Sequence, residues 1–288
     1  MENSEAVVVD PARKKRRKCF LLVGATVLVF AVVLVVVWGV ISAAKSSETS
    51  SFKSEVINRC KTFIREHGGM SREIDCEKIW GTFEQAYVGR DPCDVPPEAY
   101  GPLFNSVKDA AACNTMLFWS KTNAVVHAFT ENRDCLVTLE DTLLGFMFNR
   151  LTWCSKNGSK ETFTTGCPGW SGCKNSPIQS FWLKASANFA TTACGNVSAM
   201  LNGSLDTPFN SSSIFGSVEV KNLDPNKVEG LTILLVTKNT DTTTCDNPSF
   251  KKLKNILNAM IAYNCREVPY SRVEGCISDL EIPCRDCL

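Results

Sequence analysis

From Phe20 to Ala44 the chain runs 25 residues without a charged side chain, directly after an unbroken basic run, Arg13-Lys14-Lys15-Arg16-Arg17-Lys18. A helix over that stretch, at ~1.5 Å per residue, is ~37 Å long and covers a hydrocarbon core of ~30 Å. It reads as a transmembrane helix. A cleaved signal peptide is the rival reading, but its apolar region is typically ~7 to 15 residues, and only Ser42-Ala43-Ala44 resembles a cleavage site. Basic residues flanking a span stay cytoplasmic, which places residues 1–18 inside as a tail, 19–44 in the membrane as a signal anchor, and everything from 45 onward outside. The expected arrangement is a single-pass type II protein of the plasma membrane.

Cysteine usage agrees. Fourteen of the 15 cysteines follow the span, and so do four sequons, at Asn157, Asn196, Asn202 and Asn210. Both belong to an oxidising, glycosylating compartment. Cys19, at the inner membrane edge, reads as a buried thiol, with palmitoylation as the alternative. The formal net charge of +1 hides a split. Beyond residue 18 there are 25 bases against 27 acids, a nearly neutral balance that argues against a nucleic-acid partner. The basic tail sets topology and touches anionic lipid.

Residues 45–54 form a Ser/Thr-rich stalk, and 55–288 are long enough to bury a sizeable core. Val56, Ile57, Cys60, Phe63 and Ile64 recur at helical spacing; Ile74, Ile79, Trp80, Phe83 and Ala86 repeat it. Two amphipathic helices are therefore expected, and a third over 103–113. Thr138-Leu-Glu-Asp141 reads as a capping box that puts Glu140 and Asp141 in a helical first turn. Residues 154–176 read as a cross-linked loop and 179–200 as one long helix. Ser217–Lys221 and Leu231–Thr237 read as strands, the second as a buried parallel one, followed by a helix over 249–262. Together these predict an α/β protein of α+β character: a mostly helical N-terminal part packed on a short parallel sheet flanked by helices, with a cleft between.

Several chemistries are excluded or disfavoured. His67 and His127 are the only histidines, so a His-rich zinc site cannot be built and no metal is expected. There is no Gly-x-Ser-x-Gly elbow, dinucleotide fingerprint or Walker loop; Gly169-Trp-Ser-Gly172 is a near miss. Cys284-Arg-Asp-Cys287 has redox spacing but reads as disulfide framework. Carboxylates and aromatics remain. Glu219, on the polar side of the presumed strand Ser217–Lys221, would by itself be an ordinary solvated acid, and Trp119 and Trp182 by themselves core residues. Taken with Glu140, they suit a substrate with a flat ring to stack and a sugar bond to break.

Longer motifs sharpen this. Trp119-Ser120, Thr138-Leu-Glu-Asp-Thr-Leu-Leu-Gly145, Leu151-Thr-Trp-Cys154, Cys167-Pro-Gly-Trp170, Met200-Leu-Asn-Gly-Ser204 and Phe215-Gly-Ser-Val-Glu-Val220 resemble the ADP-ribosyl cyclase family across essentially the whole of 55–288. The resemblance implies an enzyme that acts on NAD and NADP as substrates, with no cofactor, and handles cyclic ADP-ribose and nicotinamide. It makes Glu219 the catalytic glutamate and Trp119 and Trp182 the positioning tryptophans. Glu140 becomes the acid that meets the nicotinamide carboxamide and favours hydrolysis over cyclisation. Ser120 and Ser186 fall at phosphate and ribose contacts, Lys121 on the phosphate side, Phe215 among the substrate-binding positions, Asn149 near the nicotinamide, and Trp170 near the cleft rim.

It also implies the pairs Cys60–Cys76, Cys93–Cys173, Cys113–Cys194, Cys154–Cys167, Cys245–Cys265 and Cys276–Cys284, leaving Cys135 and Cys287 over. Three positions depart from the family pattern: Asn149 replaces an aspartate, Lys121 an arginine with its bidentate fork, and Ile214 a threonine hydroxyl. A glycosylated surface receptor without turnover stays as the alternative class, and a homodimer or a cell-surface protein ligand is compatible with either.

Overall fold

The structure, a computed structural model, describes residues 51–67, 74–107, 111–131, 133, 135–238 and 242–288. The expected tail and membrane span lie outside the described residues. Among those described, no helix is long and apolar enough to cross a membrane.

Four parallel strands, β1 (Leu117–Ser120), β2 (Gly195–Asn202), β3 (Val228–Thr237) and β4 (Ala262–Pro269), form one sheet in the order β1-β2-β3-β4. Both faces are covered, which is why β3 reads as a continuous apolar run. Phe118, Val197, Ala199, Leu201, Leu231, Ile233 and Leu235 point into the larger core. There they meet helix α1 (51–66), α2 (Cys76–Tyr87), α3 (Gly101–Ser106), α5 (Leu143–Phe148), α6 (Pro177–Thr192) and α8 (Pro248–Ile256). Leu117, Met200, Leu234, Val236 and Val268 point the other way, into a smaller core with α4 (Asn123–Thr130) and α9 (Tyr270–Ser278). Between them lies a mixed α/β fold.

The two expected amphipathic helices are α1 and α2, with Val56, Ile57, Cys60 and Phe63 buried on the first and Ile79, Trp80 and Phe83 on the second. Asp75 caps α2 by accepting from the Glu77 and Lys78 amides. The third helix is shorter than expected and ends at Ser106.

Three expectations are corrected. The helix over 179–200 stops at Thr192: Gly195 takes φ +68, Cys194 is bonded to Cys113, and the chain continues as β2. Apolar residues buried on both faces of β2, Val197, Ala199 and Leu201 on one and Met200 on the other, imitate a helical pattern. The helix over 249–262 ends at Ile256, and β4 begins at Ala262, where Cys265 is pinned to Cys245. The strand over Ser217–Lys221 is instead a π-helical turn, Phe215–Glu219, running into α7 (Val220–Asn222). Phe215, Glu219, Val220 and Leu223 are the buried positions, a helical spacing that short Val alternation concealed.

Five of the implied disulfides are present, but Cys276 bonds Cys287, and Cys135 bonds Cys284. The C-terminal tail lies against Cys135 and is also held there by Arg133, whose buried guanidinium donates to the carbonyls of Cys276 and Ile282. The Cα atoms of the Cys135 bridge are 6.3 Å apart and those of the Cys276 bridge 5.8 Å, both within disulfide reach.

Candidate active site

A cleft of about 870 Å³ opens at the carboxyl end of β1, where open parallel sheets place their ligand sites. β1 delivers Trp119 and Ser120 to it, and Lys121 follows directly after the strand. The Trp119 indole N–H donates to Glu140 Oε2 at 3.1 Å, and its ring meets the buried His127 edge-on at 5.4 Å. The indole is thus fixed both in its plane and along its edge.

Glu140 sits on a 3₁₀ turn, Leu139–Asp141, closed by the expected capping box: the Thr138 amide donates to Asp141 Oδ2 at 2.8 Å. Thr142 then caps α5 by accepting from the Gly145 amide. Gly145 has to be glycine, because a β-carbon there would meet Leu139 O at 1.9 Å. Close approach of α5 to the turn is what aims Glu140.

α6 contributes Trp182 and, one turn later, Ser186. Ser186 hydrogen-bonds Glu219, which comes from the π turn and is 7% exposed. An extra residue per turn re-aims side chains, and such turns recur at functional sites. Gly216 lets this one pack tightly, since a β-carbon would lie 2.6 Å from Asn210 O. Burial pushes the Glu219 carboxyl up to about 8; the Ser186 bond opposes the rise and the Glu140 charge adds to it. A carboxyl so desolvated, beside indole rings, is poised to be charged by an arriving cation.

All ten residues singled out from the sequence line this one cleft: Trp119, Ser120, Lys121, Glu140, Asn149, Trp170, Trp182, Ser186, Phe215 and Glu219. Trp170 is 40% exposed at the rim. Arg150, Asn210, Ser212 and Ser213 also line it and were not anticipated. Loop residues without periodicity give no signal of that kind. Among the described residues no three His, Cys, Asp or Glu side chains gather to hold a metal ion.

The family model described as ADP-ribosyl cyclase matches residues 49–285. The chain belongs to the ADP-ribosyl cyclase family. ADP-ribosyl cyclase/cyclic ADP-ribose hydrolase 1 of Rattus norvegicus is 40% identical over 213 residues, covering 73% of this chain and 70% of that one. Its counterpart in Oryctolagus cuniculus is 37% identical over 238 residues, covering 80% of each. Among solved structures, porcine CD38 with a covalent intermediate superposes with a TM-score of 0.72 at 36% identity, over 76% of this chain and 96% of that one. The Aplysia cyclase complexed with substrate and product gives 0.68 at 27% identity, over 82% and 96%.

Proposed function

We propose that this cyclase-family chain is an ectoenzyme that cleaves the nicotinamide–ribosyl bond of NAD. Its main products are ADP-ribose and nicotinamide, with minor cyclic ADP-ribose; it also hydrolyses cyclic ADP-ribose and exchanges bases on NADP. The observation that carries this is the buried Glu219, hydrogen-bonded to Ser186 in a cleft walled by Trp119 and Trp182.

Bond cleavage leaves an oxocarbenium-like ribosyl centre, and a carboxylate beside it stabilises the charge or bonds the anomeric carbon. That a covalent intermediate has been captured in porcine CD38 supports the second route. The positively charged nicotinamide ring of NAD, entering between the indoles, favours ionised Glu219. Nicotinamide departs neutral, so no strong general acid is needed. Water then yields ADP-ribose, the substrate's own adenine yields cyclic ADP-ribose, and nicotinic acid yields the exchanged dinucleotide.

Seven disulfides support a catalytic domain, 55–288, outside the cell, behind the stalk, the signal anchor and the cytoplasmic tail. Asn157, Asn196 and Asn210 are exposed and Asn202 half-buried, with its amide on Lys121 O, so the first three are the readier glycan acceptors. Incubation of the purified 45–288 domain with an etheno-NAD analogue tests the activity: fluorescence release is expected from the wild type, and its absence sinks the reading. Tags at each terminus of intact cells test the orientation; an externally accessible N-terminus overturns it.

A further inference from the structure

Two cations line the cleft, Lys121 and Arg150. Both are exposed, and among the described residues neither makes an ion pair or a side-chain hydrogen bond. Both also have left-handed backbone, with φ 61 and φ 59. For a residue with a β-carbon that conformation is unfavourable, so surrounding structure has to impose it. At Arg150 the imposing contacts can be named. The residue before it, Asn149, is the C-cap of α5, and its amide still bonds Gly145 O at 2.9 Å. Its carbonyl, beyond the helix, accepts from Arg59 Nη1 at 2.7 Å. Arg59 lies on α1 and is itself oriented by Glu55, whose Oε1 accepts from Nε at 2.7 Å. On the far side the Leu151 amide bonds Phe148 O at 3.2 Å. A strained peptide is thus clipped from both sides, and the residue it holds at the cleft wall carries a guanidinium with no ion pair or side-chain hydrogen bond.

Resting on the function above for its substrate, we propose that Arg150 determines specificity by binding a phosphate oxygen of the dinucleotide, and that Arg59 is a positioning residue acting through it. A guanidinium fork matches phosphate oxygens as a lysine ammonium does not, so Arg150 supplies the planar recognition that Lys121 lacks. Charge balance favours the same assignment. Lys121 and Arg150 offset Glu140 in the unliganded cleft, while burial keeps Glu219 largely protonated near neutrality, so the lining is net positive before an anionic dinucleotide arrives.

The test compares ADP-ribose, which carries the pyrophosphate, with nicotinamide, which is uncharged. Dissociation constants are read from quenching of cleft tryptophan fluorescence in the wild type, Arg150→Gln, Arg59→Met, Arg59→Lys and the Arg150→Gln/Arg59→Met double variant, all as the full chain. Arg150→Gln is expected to weaken ADP-ribose about tenfold, the loss of one charge-assisted contact, while nicotinamide stays within about twofold. Arg59→Met is expected to weaken ADP-ribose several-fold, Arg59→Lys less, and the double variant no more than Arg150→Gln alone. Wild-type ADP-ribose affinity should also fall with added salt more steeply than that of Arg150→Gln. Unchanged ADP-ribose binding in Arg150→Gln overturns the proposal, and so does an equal loss of nicotinamide, which signals a collapsed wall. Additive losses in the double variant remove Arg59 from it. Wild-type protein that binds ADP-ribose but does not turn over etheno-NAD defeats the function proposed above while leaving the Arg150 comparison readable.

Discussion

Two acids face the same cleft and are held in opposite ways. Glu140 rides on a short capped turn, half-buried, with an indole N–H donating to its carboxylate. Glu219 is recessed in a π turn with a serine hydroxyl as its hydrogen-bond partner and too little water to support a charge. The first arrangement fixes an acceptor in space; the second stores an electrostatic deficit that an incoming cation relieves. One fold thereby builds a hydrogen-bonding carboxylate and a charge-stabilising one from neighbouring segments. The contrast predicts that replacing the first redirects products, whereas replacing the second abolishes chemistry.

The largest expected effect is at Glu219. Glu219→Gln keeps the shape and the bond from Ser186 but cannot become anionic, so etheno-NAD turnover should drop by about 10³ or more. A near-intact rate would erase the contrast. Stability should move the other way. The folded pKa, about 8, lies above the ordinary 4.5, so the native state keeps its proton across the window where the unfolded chain has lost it. Glu219's contribution is therefore fully present below pH 4.5 and is lost as pH rises toward 8. Relative to wild type, Glu219→Gln should melt at the same temperature near pH 4.5 and higher near pH 8, by an amount on the order of a few kcal/mol. Equal melting temperatures across that range would show that Glu219 is not desolvated. In the wild type, kcat/KM should climb until about pH 8, while kcat levels off at lower pH because bound substrate favours the charged form.

That Glu219 and Glu140 belong together was legible in the sequence only through long motifs, and how each is held was not. The capping box at Thr138 was readable because it is local: four residues specify their own hydrogen bonds. The π turn was not, because Ser217-Val-Glu-Val220 alternates as a strand would, and the one local sign of the tighter path is Gly216, whose missing β-carbon permits the close approach to Asn210 O. β2 was hidden for a related reason: Val197, Ala199 and Met200 are buried on both sides, a state set by the sheet they join. The Cys135–Cys284 bridge and the Arg133 contact beside it each span 149 residues, a separation that no spacing announces.

Glu140 tests the other half of the contrast with a smaller effect. Glu140→Phe removes the acceptor and places an apolar ring where water can be held, so the cyclic share of product should rise several-fold while total turnover falls far less than in Glu219→Gln. An unchanged ratio would take Glu140 out of product choice. Gly145→Ala approaches the same point without touching the acid. Its β-carbon has to push Leu139 O away, and because that oxygen belongs to the turn, Glu140 should move. The expected result is a rise in the cyclic share about half that of Glu140→Phe, with melting lowered by ~1–3 kcal/mol for the overpacked contact. A loss of stability with the ratio unmoved would mean that the turn adapts and the aim of Glu140 is set elsewhere.

Trp119→Phe isolates the tether itself and should give the smallest change. A phenyl ring still stacks on a flat substrate and still meets His127 edge-on, but it has no N–H for Glu140 Oε2. Glu140 then keeps its capped turn and loses only its orientation, so the cyclic share should rise by less than twofold. The decisive comparison is made in the Glu140→Leu background, which leaves the indole N–H no acceptor at that position. If the indole N–H acts on product choice through Glu140, adding Trp119→Phe to Glu140→Leu should shift the ratio less than Trp119→Phe does in the wild type. If the two shifts simply add, the tryptophan governs product choice through stacking alone, and the hydrogen bond between them is structural.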